Sequence, residues 1–185
     1  MIMMKKALLA AAVASLMAGA MTAQAATTVD GGTVHFTGQL INAACVVDVN
    51  SQDQTVDLGQ YRTATFNAVG ARSASVPFTI QLKDCDTTVS SSAAVAFTGQ
   101  QDAANDTLLA VNSAVTNGTT ATGVGIEILD TDSKVLTPDG TAFSTPQTLI
   151  DGFNTLHFSA AYVATAASAT AGRADADATF VVQYP

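Results

Sequence analysis

The feature that most constrains this chain is a period of two. Val76, Phe78, Ile80 and Leu82 alternate with Pro77, Thr79 and Gln81, and Leu156, Phe158, Ala160 and Tyr162 alternate with His157, Ser159 and Ala161. Successive side chains of a strand point to opposite faces, so each run predicts a strand with one face in a core and one in water. Val124, Ile126 and Ile128, interrupted by Gly125 and Glu127, predict a third strand of the same kind. Shorter strands are expected at 43–49, 55–60 and 93–98, with turns at Pro138-Asp139-Gly140 and Asn117-Gly118, where the residue types suit turn φ angles. The helical period is scarce: Leu108, Leu109 and Val111 would make one short turn within 102–115, but the flanking Asn and Ser residues favour loop. Many short strands with turn signals roughly every 8–12 residues predict an all-β sandwich.

The front of the chain reads differently. Lys5 and Lys6 precede an apolar run from Ala7 to Ala14, which continues through Leu16 and Met17 to Ala-Gln-Ala at 23–25. A basic head, an apolar stretch and a small-residue cleavage motif make a secretory signal peptide over residues 1–25. Cleavage after Ala25 would leave a mature chain of 160 residues, Ala26 to Pro185, enough for one domain with a real core. The apolar run is too short and too rich in alanine for a bilayer span, and no later stretch approaches the roughly 20 apolar residues that a span needs, so no transmembrane segment is expected.

Removing Lys5 and Lys6 leaves five basic against fifteen acidic side chains, a formal charge of −10. Affinity for nucleic acid rests on Lys and Arg displacing counterions, and Arg62, Arg72, Lys83, Lys134 and Arg173 form no cluster in the sequence, so nucleic-acid binding is disfavoured. Cys45 and Cys85 are an even pair in a chain bound for an oxidising compartment, which predicts a disulfide over a metal site. Closing a loop of that length is worth roughly 4 kcal/mol in the chain-entropy account.

The inventory for chemistry is thin. The histidines are His35 and His157, both on the polar phase of their runs, and solvent-facing positions are expected for both. There is no GxSxG elbow and no free cysteine. Asp84, Asp86, Asp130, Asp132, Asp175 and Asp177 fall in turns or on wet faces, with no twelve-residue calcium loop. No enzyme activity, cofactor or metal is therefore expected, and the absence of Trp argues against a sugar-binding platform.

Two terminal runs also alternate. Ala178, Phe180, Val182 and Tyr184 alternate with Thr179, Val181 and Gln183, so the last strand runs to the end of the chain. Gly32, Val34, Phe36, Gly38 and Leu40 alternate with Thr33, His35, Thr37 and Gln39, ahead of Cys45. On residues alone this first run is either an ordinary first strand of its own sheet or a strand offered to another chain.

Several segments together resemble the pilins of the chaperone–usher pathway, and among them the major subunits of type 1 fimbriae, the FimA-like proteins. They are Thr-Thr-Val-Asp-Gly-Gly-Thr-Val-His-Phe at 27–36, Asn-Ala-Ala-Cys at 42–45, Gln-Leu-Lys-Asp-Cys-Asp at 81–86, Ala-Val-Ala-Phe at 94–97, Gly-Ile-Glu-Ile-Leu-Asp at 125–130 and Ala-Asp-Ala-Asp-Ala-Thr-Phe at 174–180. The tail adds a penultimate aromatic, Tyr184, and a glycine fourteenth from the end, Gly172.

The resemblance implies an incomplete immunoglobulin-like β-sandwich lacking its seventh strand, with a groove beside the last strand. It implies that residues 26–41 are a donor-strand extension and 42–185 the pilin domain. Gly32, Val34, Phe36, Gly38 and Leu40 would then lie in a neighbour's groove, and Gly172, Phe180, Val182 and Tyr184 would form the groove and chaperone-recognition strand. Its implied partners are further copies of the chain in a homopolymer, a periplasmic chaperone, an outer-membrane usher and adaptor or tip pilins, with the product an extracellular fimbrium. A minor or adaptor pilin, or a monomeric secreted carbohydrate-binding sandwich, are the alternative readings.

Overall fold

The computed structural model describes residues 27–38, 40, 43–112 and 119–185. The predicted signal peptide and the Asn117-Gly118 turn lie outside the described residues. The chain divides into two units, Met1–Leu40 and Ile41–Pro185. Residues 27–38 carry no helix or strand, and Val34, Phe36 and Leu40 are exposed.

The regular structure of the second unit is almost wholly strand: β1 (Val46–Val47), β2 (Val76–Cys85), β3 (Ser92–Gly99), β4 (Leu109–Ala110), β5 (Val124–Leu129), β6 (Gln147–Thr148), β7 (Gly152–Ala164) and β8 (Ala178–Gln183). One helical turn, α1 (Val49–Gln52), and a 3-10 turn at Thr63–Thr65 complete the regular structure among the described residues. One sheet has the order β1-β2-β7-β5-β4 and the other β6-β3-β8, with every pair of strands antiparallel. Their inner faces bury Ile80, Leu82, Val95, Leu109, Leu156 and Phe158 in one core, as the two-residue period demands. No helix among the described residues is long and apolar enough to cross a membrane.

The two cysteines meet because β2 breaks phase. Leu82 pairs with Asn154 and Cys85 with Gly152, so β2 holds one residue more than β7 over that interval. Such a β-bulge shifts every later side chain to the opposite face. Asp84, with φ of 52°, takes the left-handed conformation that Asp tolerates, and Cys85 turns inward to bond Cys45. The Asp86 N–H donates to the Ala44 carbonyl at 2.9 Å beside that disulfide.

Three sequence expectations change. The expected strand at 43–49 shrinks to β1, because Asp48 caps α1 by accepting from the Asn50 N–H at 3.0 Å. Ser51 of that turn is buried, its hydroxyl accepting from the Gln81 N–H at 2.9 Å. The 102–115 segment is loop up to Leu108, with side chains of Asp102 and Asn105 accepting backbone N–H groups, and then gives the short β4. The outer face of β5 and the end of β7 is covered: Gly125, Glu127, Ala161 and Val163 are buried, while His157 earlier on β7 stays exposed. Leu108 lies against Gly125, where a Cβ would meet its Cβ at 2.9 Å. Arg72, bridged to Val163, reaches across β7 and pairs both guanidinium nitrogens with the Glu127 carboxylate, so a 3% exposed carboxylate keeps its partner.

Candidate functional site

β8 is an edge strand. Among the described residues its one ladder is with β3, running from Ala94 opposite Gln183 to Gly99 opposite Ala178. Phe180, Val182 and Tyr184 turn inward onto the core, and Thr179, Val181 and Gln183 turn outward. The inward set is only half-buried, unlike the fully buried residues of β3 that it packs against. Half-burial of a core-facing set, beside an edge with unpaired N–H and C=O groups, marks a place where a strand is missing.

A groove of about 1060 Å³ occupies that place. Phe78, Phe97, Leu109, Ile126, Ile128 and Tyr162 line its depth. Residues 173–180 form one rim and residues 51–59 the other. The segment 55–60, expected as a strand, carries no ladder, because its neighbour across the groove is empty space and not backbone. The rim ends where Gly59, at φ 81°, turns the chain and donates its N–H to Asp57 Oδ1 at 2.9 Å.

Aromatic rings fix the shape of the groove. Phe78 stacks on Phe158 at 5.6 Å between centroids, Phe97 meets Phe158 edge-on at 5.5 Å, and Phe180 reaches Phe97 at 6.3 Å. At one end Tyr61, Phe66 and Tyr162 form an edge-to-face triangle with centroids 6.0 to 6.4 Å apart. The Tyr162 hydroxyl donates to the Ala174 carbonyl at 2.8 Å, tying the ring to the rim; burial pushes its phenol pKa up, and Asp175 and Asp57 add to the shift. At the other end the Tyr184 hydroxyl donates to the Cys45 carbonyl at 3.1 Å, and burial pushes this phenol up as well. The last residue, Pro185, accepts at its terminal oxygen from the Ser90 hydroxyl at 2.9 Å.

The predicted groove residues do not all converge. Phe180 lies in the lining, and Val182 and Tyr184 continue its face along β8. Gly172 lies outside the lining, where its missing Cβ lets 171–173 run beside 119–121, with Arg173 N–H donating to the Thr119 carbonyl at 2.9 Å. Leu58 and the rim from Asp53 to Gly59 were not singled out in the sequence, since their alternation reads as an ordinary strand. Of the donor positions, Val34 and Phe36 are 73% and 92% exposed, and Gly32 has φ of 95°, with no strand over the described residues 32–38. An extended segment without a partner has no ladder to hold it in register.

Little else in the molecule has chemical reach. His35 and His157 are exposed, and no three His, Cys, Asp or Glu side chains among the described residues converge to hold a metal ion. Asp130 is a buried carboxylate that accepts from the N–H groups of Asp132, Lys134 and Thr145 at 2.9 Å each. Burial works against its charge, but those bonds prevail and hold its pKa below the usual carboxylate value. It is a loop clasp. What the groove can do is bind: its walls offer apolar surface and its β8 rim offers main-chain hydrogen bonds to an extended peptide.

Comparison with known proteins agrees with that reading. A family model described as Fimbrial protein matches residues 34–185. The uncharacterized fimbrial-like protein SfmA of Escherichia coli K12 is 63% identical over 165 residues, covering 89% of this chain and 91% of that protein. The fimbrial subunit type 1 of Salmonella typhimurium is 56% identical over 185 residues, 98% of this chain and 100% of that protein. Among solved structures, the P pilus rod subunit PapA superposes with a TM-score of 0.64 at 28% identity, covering 77% of this chain and all of that one. A chaperone–usher pilus subunit superposes at 0.67 with 29% identity, over 86% of this chain and all of that one.

Proposed function

From the premise that this chain belongs to the fimbrial protein family, as a structural pilin and not an enzyme, we propose that it is the repeating subunit of a type 1-like pilus rod, joined copy to copy by donor-strand exchange. The fold is the incomplete immunoglobulin-like sandwich of chaperone–usher pilins, and the product of the family is an extracellular pilus. The observation that carries the proposal is the free edge of β8 beside a groove floored by core side chains.

The donor is residues 26–41 of another copy. Val34 and Phe36 enter the groove from one face of the strand, each contributing about 1.5–3 kcal/mol on full burial, while Gly32 and Gly38 let the backbones come close. Main-chain bonds to β8 satisfy the groups that the free edge leaves open. Because an open groove beside an unpaired edge invites aggregation, a periplasmic chaperone occupies it first, and an outer-membrane usher presents it to the next extension. Residues 1–25 direct export and are removed, and adaptor or tip pilins carry the adhesive end.

Phe36→Arg tests this directly. A guanidinium in an apolar pocket loses its hydration without gaining a partner, so joining fails while the groove, formed elsewhere in the chain, still accepts a strand. Unboiled wild-type polymer gives a ladder on denaturing gels and the variant runs as monomer. A ladder of normal length from Phe36→Arg would exclude the 26–41 segment as the donor.

A further inference from the structure

Ala44 and Cys45, near the start of the second unit, lie at one pole of the sandwich, and that pole carries exposed apolar side chains that the core does not explain. Ala44 is held there by its carbonyl, which accepts from the Asp86 N–H, and Cys45 by its bond to Cys85. The loops at this pole are tied together: Thr87 donates its N–H and its hydroxyl to Asp151 Oδ1 at 2.8 and 2.7 Å, and the Leu149 N–H donates to the Ser91 carbonyl at 2.9 Å. On them, and at the start of β7, Val89, Ile150 and Phe153 are 54%, 66% and 53% exposed. Large apolar side chains gathered on fixed loops mark a contact surface.

Covalent geometry says what reaches it. Three residues lie between Leu40 and Ala44, so four residue steps span at most about 14 Å at 3.3–3.6 Å per residue. When Leu40 is seated in an acceptor, this pole is tethered at the mouth of that acceptor's groove and meets it at high effective concentration. An antiparallel ladder on β8 is the better-bonded arrangement, and it brings Leu40 to the Ala178 end of the groove. That end holds the aromatic triangle with exposed Tyr61, and beside it exposed Val69, whose neighbour Gly70 donates its N–H to the Ala164 carbonyl at the close of β7.

Resting on the donor-strand reading above, we propose that Val89, Ile150 and Phe153 of one copy pack against Tyr61 and Val69 at the groove mouth of the next, forming a second contact that caps the donated strand. The two surfaces lie at opposite poles and differ from each other, so the contact is head-to-tail and propagates without closing. Its partner is a further copy of this chain. The cap slows strand release, because the exit pole must lift before the strand can peel from the groove.

The test uses assembled full-length material and two surface variants, Ile150→Asp with Phe153→Asp, and Val69→Asp. Both retain the ladder on unboiled denaturing gels, since neither touches donor or groove, but both depolymerise in guanidinium about tenfold faster or more, the scale on which buried contacts set dissociation rates. Combining Phe153→Asp with Val69→Lys restores the slow rate, which a merely structural defect would not allow. Unchanged depolymerisation in both variants, or loss of the ladder in either, overturns the cap. Failure of the donor-strand reading itself has a different signature, a normal ladder from Phe36→Arg.

Discussion

Gly172→Ala separates packing from recognition at a glycine that the sequence marks only by its distance from the end. The segment 171–173 runs parallel to 119–121, bridged at Thr120 and Arg173, with the Ala121 N–H donating to the Arg173 carbonyl at 2.8 Å. A Cβ on Gly172 would stand 2.5 Å from the Ala121 nitrogen and 2.6 Å from the Thr120 carbonyl carbon, with the Thr119 carbonyl oxygen closer still. All three neighbours are backbone, so no rotamer relieves the overlap and the two segments must separate. Overpacking of this kind costs about 1–3 kcal/mol. At a urea dependence of roughly 2 kcal/mol per molar, the unfolding midpoint falls by about 0.5–1.5 M. Gly38→Ala is the internal control: its Cβ meets nothing within 4 Å, and the expected change is within about 0.5 kcal/mol. The measurement is urea unfolding of the mature chain followed by far-ultraviolet circular dichroism, since the chain has no Trp. An unchanged midpoint for Gly172→Ala, with loss only of capture by assembly partners, would refute the packing account and make the glycine a recognition element.

Two further perturbations address the body. Replacing Cys45 and Cys85 by Ser removes the closure that fixes Ala44 and the end of β2; stability falls by about 2–5 kcal/mol and subunit accumulation drops before filament shape changes, read by chemical unfolding and by yield. Asp130→Asn removes a carboxylate whose pKa is held down in the folded state, so the stabilisation it gives is present above the ordinary carboxylate value of 3.8 and is lost as pH falls through the lower folded value. The gap in urea midpoint between wild type and Asp130→Asn is therefore widest near neutral pH and closes below about pH 4; a gap that widens on acidification would sink that assignment.

The inward phase of β2, β7 and β8 was legible in the sequence because burial repeats every second residue and polar residues fill the alternate positions. Phe78, Ile80 and Leu82 are core or groove, and Phe180, Val182 and Tyr184 face inward, as the alternation implies. The same rule misread Glu127 and Ala161, since alternation says which side a residue faces but not what covers that side. Arg72 lies 55 residues from Glu127, and nothing local announces their pairing. Thr55–Gln60 was misread for the opposite reason: its residues suit a strand, yet a strand is defined by its neighbour, and here the neighbour is the groove.

By itself, then, the sequence determined the strand-rich class, the period of each long strand, the cysteine pair and the two alternating ends, because these follow from side-chain chemistry at fixed spacing. Only the tertiary structure decided the rest. The bulge at Asp84 turned Cys85 inward, the order β6-β3-β8 left β8 with one paired edge, and the aromatic cluster of Phe78, Phe97, Phe158 and Phe180 was assembled from four different strands. The physical reason is that a missing strand is a property of two edges brought together across the sandwich, and the residues forming those edges, 51–59 and 173–180, lie more than a hundred positions apart in the chain.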